Sequence, residues 1–171
     1  MTEQEFKIKV LSLTRNVFPL AKRMLVSEVM ARDAVQQGML KLWENRKQLD
    51  ECDNIKAFVF KVIRNVCLDE IKKKKPHLVD DFSRRSEHLV HHDEQHEKNE
   101  AFEIIQKIIT QLPANQREVI LMRDIDGLEF DEIAMITGGD IPYIRVLLSR
   151  ARKTVKEKLE KIYAYEAIRP Q

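Results

Sequence analysis

Residues 130–153 read FDEIAMITGGDIPYIRVLLSRARK, and this stretch decides the fold. Ile133, Ala134, Ile136, Ile144 and Leu148 fall where two short crossing helices need apolar or small side chains. Gly138 and Gly139 stand where the first helix must end and the chain must bend, and glycine enters the left-handed region at low cost. Asp140 is placed to cap a second helix, with Pro142 tolerated in its first turn. Ile144, Leu148, Ala151 and Val155 recur three and four apart, which predicts the buried side of that helix. Arg145, Arg150, Arg152 and Lys153 fall on its outer faces. A helix-turn-helix with an apolar inside and a basic outside is what reading a DNA groove requires. A surface hairpin with solvated charges is the competing reading.

Net charge is only +2 over 171 residues, but the charges are not evenly spread. Lys56 to Lys75 holds seven basic residues against Asp69 and Glu70. From Pro76 to Glu100 three basic residues face seven acidic ones, and from Ile141 to Lys161 seven basic residues face two acidic ones. Two basic segments flanking an acidic one predict two polyanion-binding surfaces joined by a segment that avoids nucleic acid. Cys52 and Cys67 are too few for a disulfide framework, and the start, MTEQEFKIK, lacks the plan of a signal peptide. No apolar run approaches spanning length, so a cytoplasmic protein without membrane insertion is expected.

Helix formers are abundant and Gly and Pro scarce, so the fold class expected is all-α: two small helical domains joined by a linker. Phe6, Val10, Leu13, Val17, Leu20, Ala21 and Met24 keep helical spacing, with Pro19 dividing or kinking that stretch. A second helix over about 28–46 places Val35, Met39, Leu42 and Trp43 on one side. Residues 48–54 are polar and predict a loop. A third helix starts at Ile55, buries Ile55, Val59, Val62, Ile63, Val66 and Ile71, and stops at Pro76 after four lysines. Residues 76–98 lack a period and read as a linker. Helices return over 100–112 and 114–126, with Gly127 as the stop of the latter. The expected segmentation is therefore 1–75, 76–98 and 99–171.

Leu112-Pro-Ala-Asn-Gln-Arg-Glu-Val-Ile, then Gly127-Leu-x-Phe-x-Glu-Ile-Ala, then Leu148-Ser-Arg-Ala-Arg152, closely resembles region 4 of bacterial sigma-70 factors, the extracytoplasmic-function (ECF) group above all. Asp33-Ala-Val-Gln-Gln-Gly-Met-Leu-Lys-Leu-Trp43 resembles the family's region 2.2, and residues 54–69 resemble regions 2.3 and 2.4. Two differently built segments in the family's order identify it far better than one helix-turn-helix. The resemblance implies a dissociable specificity subunit of RNA polymerase, not itself an enzyme. Its partners would be core RNA polymerase, promoter DNA and an anti-sigma factor. The 99–171 domain would recognise the minus-thirty-five element, the 1–75 domain would bind core and open the minus-ten element, and the linker would thread the cleft.

Residue by residue, the upstream element falls to Tyr143, Arg145, Val146, Ser149 and Arg150, with Arg152 and Lys153 at phosphates. Melting of the downstream element falls to Asn54, Lys56, Phe58, Lys61, Arg64 and Asn65, with Lys72 and Lys73 in a phosphate clamp. Phe60 is either a stacking partner or core. Core polymerase falls to Asp33, Gln36 and Gln37, which share a helix face, and to Met39, which fits either the interface or the interior. Trp43 is assigned to the interior. The chain departs from the family at Gln37 (usually Glu), Phe58 (often Trp), Gly139 (usually apolar), Pro142 (commonly Gly), Val146 (commonly small and polar) and Leu147 (commonly Arg), so base preference does not carry over.

His88, His91, His92 and His96 have spacings that suit zinc, yet no cysteine lies nearby and a polar linker is the expected reading. No phosphate-cradling glycine loop, nucleophile elbow or HExxH is present, so neither cofactor, metal nor catalytic site is expected. An ordinary helix-turn-helix regulator explains only the residues after Gln111. A helical adaptor acting through protein contacts leaves both basic segments unexplained.

Overall fold

The computed structural model of the chain describes residues 1–25, 27–74 and 100–168. The expected linker over 76–98, Lys75 and the His88–His96 cluster lie outside them. Every regular element among the described residues is helical. The chain divides into two compact units, Met1–Asp80 with Leu128–Gly139, and Asp81–Gly127 with Asp140–Gln171.

The first unit opens with α1 (Glu3–Lys9), where Thr2 and Glu5 close a reciprocal capping box. A 3-10 turn over Leu11–Leu13 leads into α2 (Thr14–Leu25). The interruption therefore falls at residues 10–13 and not at Pro19, which lies inside α2. Val17, Leu20, Ala21 and Leu25 are buried along α2, and their burial offsets the hydrogen bond that Pro19 cannot donate. Ser27 caps α3 (Glu28–Glu44) by accepting from the Met30 amide. Residues 48–51, expected as open loop, wind into a 3-10 turn because Leu49 is drawn into the interior.

α4 (Ile55–Lys74) packs on both α2 and α3. Its inner face is Ala57, Val59, Phe60, Ile63, Val66 and Cys67. Phe60 is fully buried and belongs to the core. Ile55, Val62 and Ile71, expected inside, are only half-buried: Val62 points off the packed face centred on 59/60, 63 and 66/67, and Ile55 and Ile71 continue that face at the two ends of the helix. Burial pushes the Cys67 thiol up to about 12, which keeps it inert at neutral pH. α3 approaches α4 at Gly38, where an added Cβ would stand 2.2 Å from Ile63 Cδ1. Trp43 is half-buried, with the Phe6 ring edge-on at 5.1 Å and the Arg46 guanidinium 4.3 Å from its centroid.

α7 (Phe130–Thr137) also belongs to this unit, packed on α4. The sequence reading groups these residues with the rest of 99–171, whereas in the fold they pack on α4. α7 is closed by Gly138 at φ 76°, the left-handed cap that a side chain there would strain.

The second unit is built from α5 (Glu100–Thr110), α6 (Ala114–Ile120) and α8 (Ile141–Ile168), with α8 packed on both others. The helix expected over 114–126 is not uniform: α6 widens into a π turn over Leu121–Ile125 before Gly127 ends it at φ 65°. The Arg117 guanidinium is buried, and it donates to the Thr110 carbonyl at 2.8 Å. Its pKa is lowered by desolvation.

The Gly38 contact gives a direct test of the α3–α4 crossing. Gly38→Leu should overpack it and lower stability by about 1–3 kcal/mol, read as a shift of the urea midpoint.

Candidate nucleic-acid interface

The basic outer face of α8 begins at a well-formed helix start. Asp140 Oδ1 accepts from the Tyr143 amide at 2.8 Å, and Pro142 lies in the first turn, where no amide is needed. Ile144, Leu148 and Ala151 are buried and Val155 is half-buried. This phase leaves Tyr143, Arg145, Val146, Ser149 and Arg150 all exposed on the first turns. Tyr143 and Val146 are large exposed side chains, 51% and 44% accessible. The Tyr143 hydroxyl accepts from Asn115 Nδ2 at 3.2 Å, which fixes where the phenol stands. Leu147 is buried, so the departure from the family's arginine there is a packing choice.

Farther along, Lys153 is exposed and lies 3.9 Å from Glu157, a helix-spaced pair that costs little to break. Arg152 is placed differently. Its Nε donates to Asp124 Oδ2 at 3.0 Å and its Nη2 to Asp124 Oδ1 at 2.5 Å. That two-pronged bond raises the guanidinium pKa and ties α8 to the π turn. The pair makes Arg152 a brace between α8 and the π turn, with its side chain still 56% accessible. Arg152 and Asp124 also border an open apolar groove of about 610 Å³ lined by Ile105, Ile109, Ile120, Val155 and Leu159.

The second basic surface lies on α4. Asn54 Oδ1 accepts from the Ala57 amide at 2.9 Å and caps this helix, while its Nδ2 donates to Glu132 Oε1 at 3.3 Å. Lys56 Nζ donates to Glu132 Oε2 at 3.2 Å. Phe58, Lys61 and Arg64 are half-buried and Asn65 is exposed, away from the buried face. Lys72 is exposed, and Lys73 Nζ lies 2.6 Å from Glu70 Oε1, which raises the lysine pKa. Lys72, Lys73, Asp69 and Glu70 line a shallow depression with Gln37 and Lys41 of α3. Acid and base alternate there, so this end of α4 is less uniformly cationic than the lysine run suggests.

α3 supplies a third surface. Asp33, Gln36 and Gln37 are exposed together, as their spacing required. Met39 is buried and belongs to the core, which corrects its place among the polymerase-facing residues. Two residues of this face were missed. Val29 and Leu40 are 70% and 55% accessible, and at 100° per residue they fall within the arc spanned by Gln36 and Asp33. Exposed apolar side chains thus stand among the polar ones on this face. Their exposure is visible only once the phase of α3 is fixed. Among the described residues no group of three or more His, Cys, Asp or Glu side chains is arranged to hold a metal. No helix among them is long and apolar enough to cross a membrane.

Against this geometry the comparisons are consistent. Residues 10–77 match the family model of Sigma-70 region 2, and residues 102–155 match that of Sigma-70, region 4. The chain belongs to the sigma-70 family of RNA polymerase sigma factors, in its ECF group. It is 27% identical over 132 residues to the RNA polymerase sigma factor SigV of Bacillus subtilis, covering 77% of this chain and 76% of that one. It is 24% identical over 154 residues to the ECF sigma factor SigW of the same organism, covering 84% and 82%. Among solved structures, the sigma factor RpoE of Bartonella quintana, in complex with the anti-sigma factor NepR, superimposes with a TM-score of 0.71 at 23% identity, covering 92% of this chain and 98% of that one. CnrH in complex with the cytosolic domain of CnrY gives 0.63 at 19%, covering 94% and 90%. These two likenesses concern the fold.

The contrast between Arg150 and Arg152 is measurable. Arg150→Ala should flatten the salt dependence of DNA binding by about 0.9 log units, the loss of one phosphate contact, or relax base discrimination if it reads a base. Arg152→Ala should leave that slope largely in place and shift the unfolding temperature only slightly, since the pair it removes is exposed.

Proposed function

We propose that this sigma factor works as a dissociable subunit that grips core RNA polymerase through α3 and promoter DNA through α4 and α8. The reading rests chiefly on one observation. The outward residues of α8's first turns, Tyr143, Arg145, Val146, Ser149 and Arg150, are presented together by a helix whose inner face is fully committed to packing. Such a helix start reaches base edges in a major groove, with arginine able to bond a guanine in two places. Lys153 adds a phosphate contact.

The α4 surface, with Asn54, Lys56, Phe58, Lys61, Arg64 and Asn65, is assigned to the downstream element, where cations and a stacking ring favour an unpaired strand. Lys72 and Lys73 extend this surface, with the Lys73–Glu70 pair giving way to phosphate. The 1–75 segment carries core binding and melting, and the chain contributes positioning while the polymerase contributes the chemistry. The work takes place in the cytoplasm, where core polymerase and promoters are. An anti-sigma factor is a further proposed partner, supported by the structural neighbour RpoE, determined with the anti-sigma factor NepR bound.

Attachment to core is proposed through Asp33, Gln36 and Gln37, with Val29 and Leu40 as apolar flanks. Asp33→Lys should reduce capture of purified core polymerase by tagged chain about tenfold, while leaving binding to DNA alone unchanged. Equal capture by both forms would move the core-binding surface elsewhere.

A further inference from the structure

The pocket of charge around Glu132 is not explained by any of the roles above. Glu132 lies on α7 with its side chain 8% accessible, one of two buried charged residues among those described. Its carboxylate accepts three hydrogen bonds: Oε2 accepts from the Glu129 amide at 2.8 Å and from Lys56 Nζ at 3.2 Å, and Oε1 accepts from Asn54 Nδ2 at 3.3 Å. The Glu129 bond is the helix's own cap, and it needs no charge. The other two bonds reach across to the start of α4, in the same compact unit. An ammonium and a carboxamide converging on an oxyanion form an anion-binding site, and here the anion is built into the chain.

We infer that Asn54 and Lys56 form a phosphate site for nucleic acid and that Glu132 is its internal competitor, displaced when a strand binds. The inference rests on assigning the start of α4 to promoter DNA, as proposed above. Two physical effects act in the same direction. While Lys56 is neutralised by Glu132, it condenses no phosphate and releases no counterion on binding. The carboxylate also repels an approaching phosphate directly. Because Lys56 is about one-third accessible (35%), a strand can reach the ammonium before the carboxylate has left. The exchange therefore proceeds as a swap of one anion for another, without an unpaired intermediate. The free chain is thus held at low affinity for stray single strands, and a partner that moves α7 would raise that affinity.

The test uses the full chain and a fluorescein-labelled 20-nucleotide single-stranded DNA, with dissociation constants measured across a KCl series. Glu132→Gln keeps an acceptor for the Glu129 amide but drops the charge. It should bind about fivefold tighter than the unaltered chain and steepen the salt slope by about 0.7, one added single-strand phosphate contact. Lys56→Gln should weaken binding less in the unaltered chain than in the Glu132→Gln background, where it should abolish the gain. Glu132→Gln with unchanged affinity and slope overturns the inference, as does a Lys56→Gln loss equal in both backgrounds. Should Glu132→Gln fold poorly, hydrogen exchange on the unaltered chain decides the matter: α7 amides should lose protection when the oligonucleotide binds, and retained protection overturns the inference. Core capture is a separate reading. If the double-mutant pattern holds but the chain never engages core polymerase, the internal competition stands and the sigma-factor assignments of α3 fall.

Discussion

Helix α4 satisfies two environments at once, and the rest of the first unit depends on that. One side supplies Val59, Phe60, Ile63 and Val66 to an interior shared with α2 and α3. The other side carries Lys61, Arg64 and Lys72. The helix cannot be rotated to improve either side without ruining the other, since a shift of one residue turns the packed face by 100°. Gly38 fixes the register further, because only the absence of a side chain lets α3 come so close to Ile63. The basic surface is thus positioned by apolar packing underneath it.

The same logic holds in the second unit. α8 is anchored by Ile144, Leu147, Leu148 and Ala151, of which each of the three larger side chains contributes about 1.5–3 kcal/mol on burial. The Arg152–Asp124 pair adds orientation more than stability, since Arg152 remains largely exposed. What emerges is a helix whose first turns are held firmly while their outward side chains stay available. A rigid base under exposed side chains suits a reader of base edges.

Much of this was legible in the sequence, for identifiable reasons. The buried set of α8 and its outward set follow from three-and-four spacing, and Gly138 and Asp140 mark their helix ends by chemistry that has few alternatives. The polar face Asp33, Gln36 and Gln37 followed from spacing too. What spacing could not settle was where boundaries of a face fall: Met39 and Val62 sit near such an edge, and their burial depends on the neighbouring helix. Pairings distant in sequence were equally hidden. Nothing local to Arg152 announces Asp124, 28 positions away, and nothing local to Lys56 announces Glu132, 76 positions away. Long-range ion pairs have no sequence period, so charge runs suggested more free cations than the fold presents.

The central claim is that a single chain couples core polymerase to chosen promoters through separate surfaces on α3, α4 and α8. Reconstituted transcription tests it most directly, with purified core polymerase, a library of random upstream sequences and sequencing of the RNA 5′ ends. The account predicts that adding this chain produces transcripts from a defined subset of templates sharing two short elements at fixed spacing. Transcription that stays as unselective as with core alone, although the chain still binds DNA, would contradict it.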